Sequence, residues 1–160
     1  MKTMQDWFDA YAVSHQNKTN KLIHWICVPV IFFSVVGFFT SIPSDFISSN
    51  FPPAIAPYAH FGTLLMIVGL LFYYRISVRM ALGMTLVAAI CVFANTWLLY
   101  NVETPLWLIS LILFVAAWIG QFYGHHLEGA KPSFLEDLQF LMIGPAWLLG
   151  FIYKRLGLKY

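Results

Sequence analysis

The sequence predicts an all-α, polytopic membrane helix bundle. It would have about four transmembrane helices plus a carboxy-terminal re-entrant or interfacial helical segment, with residues 1–160 forming a single integral membrane domain. Three observations predict it. The chain is 60% hydrophobic and only 10% charged, too little polar surface to coat a soluble globule of 160 residues. Four apolar runs approach or reach the ~20 residues that a helix needs to cross a bilayer. The basic residues are distributed so unevenly among the loops that a four-crossing path puts all of them on one side.

Residues 1–21 are polar, with Lys2, Asp6, Asp9, Lys18 and Lys21, and the apolar stretch behind them lacks a small-residue cleavage site, so no cleaved signal peptide is expected. The first crossing is residues 22–40, interrupted by Pro29. Residues 41–57 follow as a loop, because Pro43, Pro52, Pro53 and Pro57 forbid a regular helix. The second run, residues 58–74, stops at Arg75, and Arg75 and Arg79 bracket a tight turn before the uncharged third run, residues 80–100. The fourth starts at Pro105, suited to a first helical turn, and continues through Trp107, Trp118 and Gln121 toward Gly124. Its tryptophans suit interfacial anchoring. The last apolar stretch, residues 138–153, is short and broken by Gly144, Pro145 and Gly150, which favours a re-entrant or interfacial hairpin; Glu136 and Asp137 would cap or solvate its start.

With these four crossings and a last segment that dips in and returns, the loops at 41–57 and 101–104 contain no Lys or Arg, and all nine basic residues face the other side; a full last crossing would put Lys154, Arg155 and Lys159 outside. The positive-inside rule makes that side the cytoplasm. The expected protein is therefore multi-pass, in a bacterial cytoplasmic membrane or an endoplasmic reticulum membrane. A net charge of +2, with no basic run, excludes a nucleic-acid partner and leaves the lipid bilayer as the expected one. Cys27 and Cys91 lie in apolar stretches without metal-type spacing and read as small buried hydrophobes.

On this topology His15, His24, His125 and His126 share the cytoplasmic end, whereas His60 falls near the outer end of the second crossing and is left out of the site. A single histidine of this kind is ordinarily a polar residue satisfied at the interface. Four together at membrane depth point to function, and imidazole is a common ligand for transition metals. His15 and His24, nine residues apart, are about half a turn out of phase on a continuous helix. They can share a metal only if the helix starts after His15, with Asn17 or Asn20 as its amino-terminal cap. Gln121, His125 and Glu128, spaced by four and three, lie along one helical face if the helix persists past Gly124, while His126 points about 100° away. A second ExxH, which a carboxylate-bridged di-iron site would need, is missing. A mononuclear site with three or more histidines is the better reading, and a solvated loop carboxylate remains the alternative for Glu128.

Two motifs carry a family resemblance over essentially the whole chain. His15, Asn17, Asn20 and His24 form HxNxxNxxxH, followed by Val28 and Pro29. Trp118, Gln121, Phe122, Gly124 and His125 form WxxQFxGH, followed by Glu128, Pro132, Gly144 and Pro145. The pair resembles the membrane 2-hydroxy fatty acid dioxygenase family known from yeast, which acts in degrading phytosphingosine to odd-chain fatty acids. The resemblance implies an Fe(2+)-dependent enzyme that uses O2 to shorten a 2-hydroxy fatty acid by one carbon, releasing CO2. It implies His15, His24 and His125 as iron ligands. His126 and Glu128 stand as further candidate ligands, and Asn17, Asn20 and Gln121 as residues that orient the imidazoles. The chain departs from the family pattern at His126, where glycine is usual, in a shorter gap to Glu128, and at Pro132 to Phe134, where ProSerPhe replaces ProAlaLeu. Tyr123 and Trp25 are candidates for an acyl channel, although packing explains them more simply. Two other classes compete: a non-enzymatic membrane lipid-binding or scaffold protein, and a haem-binding membrane protein using histidines from two helices as axial ligands. The position of the histidines at helix ends, beside polar turns, speaks against haem.

Overall fold

A computed structural model of the chain describes residues 3–13, 15–129 and 140–159. Among the described residues there are seven α-helices and no strand: α1 (Met4–Ala12), α2 (Lys18–Thr40), α3 (Asp45–Ser48), α4 (Phe61–Ile76), α5 (Val78–Asn101), α6 (Leu106–Glu128) and α7 (Ile143–Arg155), with a 3-10 turn at Ala56–Tyr58. Helix α1 is opened by a reciprocal capping box, in which Thr3 Oγ1 accepts from the Asp6 amide and the Asp6 carboxylate accepts from the Thr3 amide. Its Met4, Phe8 and Tyr11, spaced by four and three, turn one face into the core.

Helix α2 begins at Lys18, four residues before the apolar run, because the Asn17 side chain accepts from the amides of Thr19 and Asn20. Hydropathy marks where a helix could meet lipid; the cap marks where it starts. Helices α2, α5 and α6, of 23, 24 and 23 residues, are long and apolar enough to cross a membrane. Each is ~35 Å long, against a hydrocarbon core of ~30 Å. Three such helices are fewer than the four expected: α4, also apolar, has only 16 residues, or about 24 Å. His60 and Ser77 sit in extended backbone at its two ends, His60 capping α4 and Ser77 capping α5, so the apolar run at 58–74 loses its first three residues while the helix continues past it to Ile76.

Helix α2 is the hub, packing on α4, α5, α6 and α7, and its most extensive partner is α6. Close approach comes from Gly120 and Gly124 on one face of α6. A Cβ on Gly120 would lie 2.7 Å from Cys27 Sγ, and one on Gly124 would collide with the Asn20 side-chain oxygen. Cys27 and Cys91 are buried and free. The outward faces are apolar: Leu82, Leu86, Ile90, Phe93 and Trp97 make an exposed stripe on α5, while Asn95 and Ser110 are buried among the helices.

Over its described part the carboxy-terminal segment is a single helix of 13 residues rather than a hairpin, and at ~20 Å it is too short to span. Gly144 and Pro145, which read as breakers, occupy its first turn, where proline costs no hydrogen bond. Helix α7 packs on α1, α2 and α5. Residues 130–139, including Lys131, Pro132 to Phe134, Glu136, Asp137 and the expected start at Leu138, lie outside the described residues.

Candidate metal centre

Three segments converge at one end of the bundle. His15 comes from the connection between α1 and α2, His24 from the second turn of α2, and His125 from the last turn of α6. All three are buried, at 1%, 0% and 5% exposure. They offer ligand atoms that lie within 4.8 Å of one another. Ring centroids are 4.2 Å apart for His15 and His24, 4.9 Å for His24 and His125, and 5.3 Å for His15 and His125. The break between α1 and α2 produces this convergence, since a continuous helix would separate His15 from His24 by half a turn.

The backbone sets which nitrogen faces the centre. His15 Nδ1 donates to the Tyr11 carbonyl at 2.7 Å, and His24 Nδ1 donates to the Asn20 carbonyl at 2.9 Å. A carbonyl can only accept, so Nδ1 of each ring carries the proton and Nε2 keeps its lone pair. The Nε2 of His24 is buried and makes no hydrogen bond of ordinary geometry, and the Gln121 side chain lies beside the ring. Burial, reinforced by the adjacent His24, pushes His15 down to about 3, so it is a neutral imidazole at physiological pH. Buried imidazoles with Nδ1 tied to a carbonyl and Nε2 aimed inward are the donors a first-row transition metal takes, and the residues fit one.

Glu128 takes a different part. One carboxylate oxygen accepts from the Gln16 amide at 2.6 Å; the other accepts from the Asn17 amide at 2.9 Å and the Asn20 side-chain amide at 2.9 Å. The end of α6 is thereby clamped across the start of α2, on donors that a helix start leaves without partners. Among the described residues the converging group comprises His15, His24 and His125, without Glu128. His126 is exposed and outside it. Asn20, fully buried, supports the site twice, with its carbonyl on His24 and its side chain on Glu128. Gln121 faces His24, whereas Asn17 serves as the cap of α2. His60 is buried elsewhere, with Nε2 2.9 Å from Thr96 Oγ1. Trp25 and Tyr123 are exposed, and the Trp25 ring lies 6.1 Å from that of Phe151.

A match to a known family covers residues 1–156, and its description is "2-hydroxy-palmitic acid dioxygenase Mpo1-like". The chain belongs to this family. The Mpo1-like name denotes a 2-hydroxy fatty acid dioxygenase, in agreement with the motif resemblance. No curated protein and no solved structure matches the chain significantly.

Two aromatic residues beside the imidazole cluster escaped the sequence reading. Tyr11 stacks on the His15 ring at 4.1 Å with the planes 14° apart, and Trp147 of α7 closes over both, 5.0 Å from Tyr11 and 5.7 Å from His15. The spacing of Met4, Phe8, Tyr11 and His15 carried a signal for Tyr11. Nothing local to Trp147 carried one, since its place depends on how α7 docks.

Proposed function

We propose that the protein is an Fe(II)-dependent dioxygenase that shortens 2-hydroxy fatty acids by one carbon, with His15, His24 and His125 as its iron ligands. The observation that carries this reading is the buried convergence of three imidazoles, two with Nδ1 committed to a carbonyl, in a chain of the Mpo1-like family. The reaction balances without a further reductant. R–CH(OH)–COOH and O2 give R–COOH, CO2 and H2O, the substrate losing the four electrons that O2 gains. When bound, iron supplies the redox-active centre at which O2 reacts. A zinc ion would suit the same nitrogens but has no redox chemistry, so the dioxygenase family favours iron.

The protein's own residues do the rest. The Tyr11 and Asn20 carbonyls hold two rings in one tautomer, Gln121 borders His24, and the Glu128 clamp keeps the ends of α2 and α6 together. Tyr11 stacks on the His15 ring and Trp147 lies beside it, and both hold that ring in place. A haem plane would need the space between two of the rings, and the third imidazole borders that space. Lipid binding alone leaves three buried imidazoles with no purpose.

The site faces the cytoplasm in this proposal, with four crossings in which α4 is the short one. Supporting it, the Arg79 guanidinium donates to the Lys159 carbonyl at 3.1 Å, which draws basic residues from two distant segments to one end. Cysteine labelling at Ser48 and Lys159, in a variant lacking Cys27 and Cys91, is expected to place them on opposite faces; labelling on the same face overturns the topology. The activity is tested by purifying the protein without oxygen, measuring bound metal, and supplying 2-hydroxypalmitate, Fe(II) and O2. Pentadecanoate and CO2 are expected, and their absence counts against the reaction.

A further inference from the structure

An open pocket of about 250 Å³ adjoins the imidazole cluster, and His15 forms part of its wall. Phe8 and Trp147 give it an apolar wall, Phe151 continues that surface outward, and the cations Lys21 and Lys154 line it from two separate helices. Lys21 is half-buried, three residues before His24 and therefore on a neighbouring position of the same face of α2. Lys154 lies in the last turn of α7. Among the described residues Asp9 is the one acidic residue lining the pocket, and its carboxylate already accepts from Gln5 Nε2 at 2.6 Å. Positive charge is thus in excess beside His15, over a wall of aromatic carbon.

We propose that this pocket receives the head group of the substrate, with Lys21 and Lys154 pairing with the carboxylate of a long-chain 2-hydroxy acid. The inference rests on the dioxygenase reading for the identity of the ligand. The carboxylate fits because it is the one fixed charge on such a molecule, and two flexible ammonium groups can follow it without demanding one geometry. The first methylenes lie against Phe8 and Trp147, and the rest of the chain leaves past exposed Phe151 toward lipid. The hydroxyl-bearing carbon is then held on the side of the pocket formed by His15. Lys21 and Lys154 are positioning residues in this arrangement: they fix where the acid sits and take no part in bond breaking.

The test uses the full chain in detergent, stripped of metal with a chelator, and measures binding of radiolabelled 2-hydroxypalmitate and of its methyl ester. The acid is expected to bind on the order of 10-fold more tightly than the ester, as for a charge-assisted contact. Lys21→Gln/Lys154→Gln should erase that preference, and Lys21→Arg/Lys154→Arg should restore it. Metal uptake equal to that of the wild type shows that a variant keeps its fold. If the double variant fails this control, the exposed Lys154→Gln alone decides, with a severalfold rise in KM and unchanged kcat expected. Equal binding of acid and ester by the wild type overturns the proposal, as does an acid preference, or a KM, that the lysine substitutions leave unchanged. A lysine-dependent acid preference in a protein that makes no pentadecanoate supports the pocket and sinks the reaction. Pentadecanoate formed with wild-type KM by a folded Lys variant does the reverse.

Discussion

His60 and the group formed by His15, His24 and His125 are all buried, yet they occupy opposite chemical situations. His60 Nδ1 accepts from the Thr63 amide, which makes it the cap of α4 and requires Nε2 to carry the proton that faces Thr96 Oγ1. Both nitrogens are spent. In His15 and His24 the assignment is reversed: Nδ1 carries the proton, spends it on a carbonyl, and leaves the Nε2 lone pair to the centre. Burial therefore does not separate a structural histidine from a candidate ligand in this bundle. The tautomer that the backbone imposes does, and so does what the second nitrogen meets.

The largest expected effect breaks the comparison directly. Replacing His15, His24 or His125 by alanine should abolish turnover and bound metal together, whereas His60→Ala should keep both and lower stability by about 1–2 kcal/mol through the lost cap and the exposed Thr96 partner. Metal analysis of the four variants, with thermal unfolding, checks this; loss of metal in His60→Ala would erase the distinction. Glu128→Gln comes next. A clamp acting through Asn20 and the start of α2 predicts metal affinity weakened by about 10- to 100-fold with stoichiometry retained at saturating metal. Complete loss of metal, as in His15→Ala, would make Glu128 a ligand.

The smallest effect is a pH dependence. His15 is held at about 3 by burial, below its ordinary value of 6.5. The unfolded chain takes up a proton below pH 6.5 while the folded one does not, so stability is full above 6.5 and falls as the pH is lowered from 6.5 toward 3. The slope from this group reaches at most ~1.4 kcal/mol per pH unit. Unfolding of metal-free protein between pH 7.5 and 5 should show the decline, and His15→Asn should flatten it. An equal slope in the variant would remove His15 from the account.

Local chemistry was legible in the sequence where it acts locally. The apolar runs gave the helical class, and Asn17 or Asn20 marked a helix start, the cap being Asn17, that frees His15 from α2 and lets it meet His24. The spacing along α6 put Gln121 and His125 on one buried face. What stayed hidden depends on partners distant in the chain. Glu128 satisfied the helical spacing for a ligand, but the amides it accepts from lie more than a hundred residues earlier. Helix α4 starts three residues later than its apolar run because hydropathy treats His60 as a mild interruption and is blind to its role as a cap. Gly144 and Pro145 were read as breakers since their tolerance depends on falling in a first turn, a register that composition does not reveal.

The Glu128 clamp gives the polypeptide an order of assembly. Through residue 40 the growing chain already holds two imidazoles, but the third and the carboxylate that fastens the start of α2 arrive only with the end of α6. A ribosome must add about a hundred residues between the first pair and its completion, and the centre closes only once the bundle is nearly finished. Incomplete chains therefore lack the full donor set, so metal loading reports on whether synthesis and insertion have run through α6.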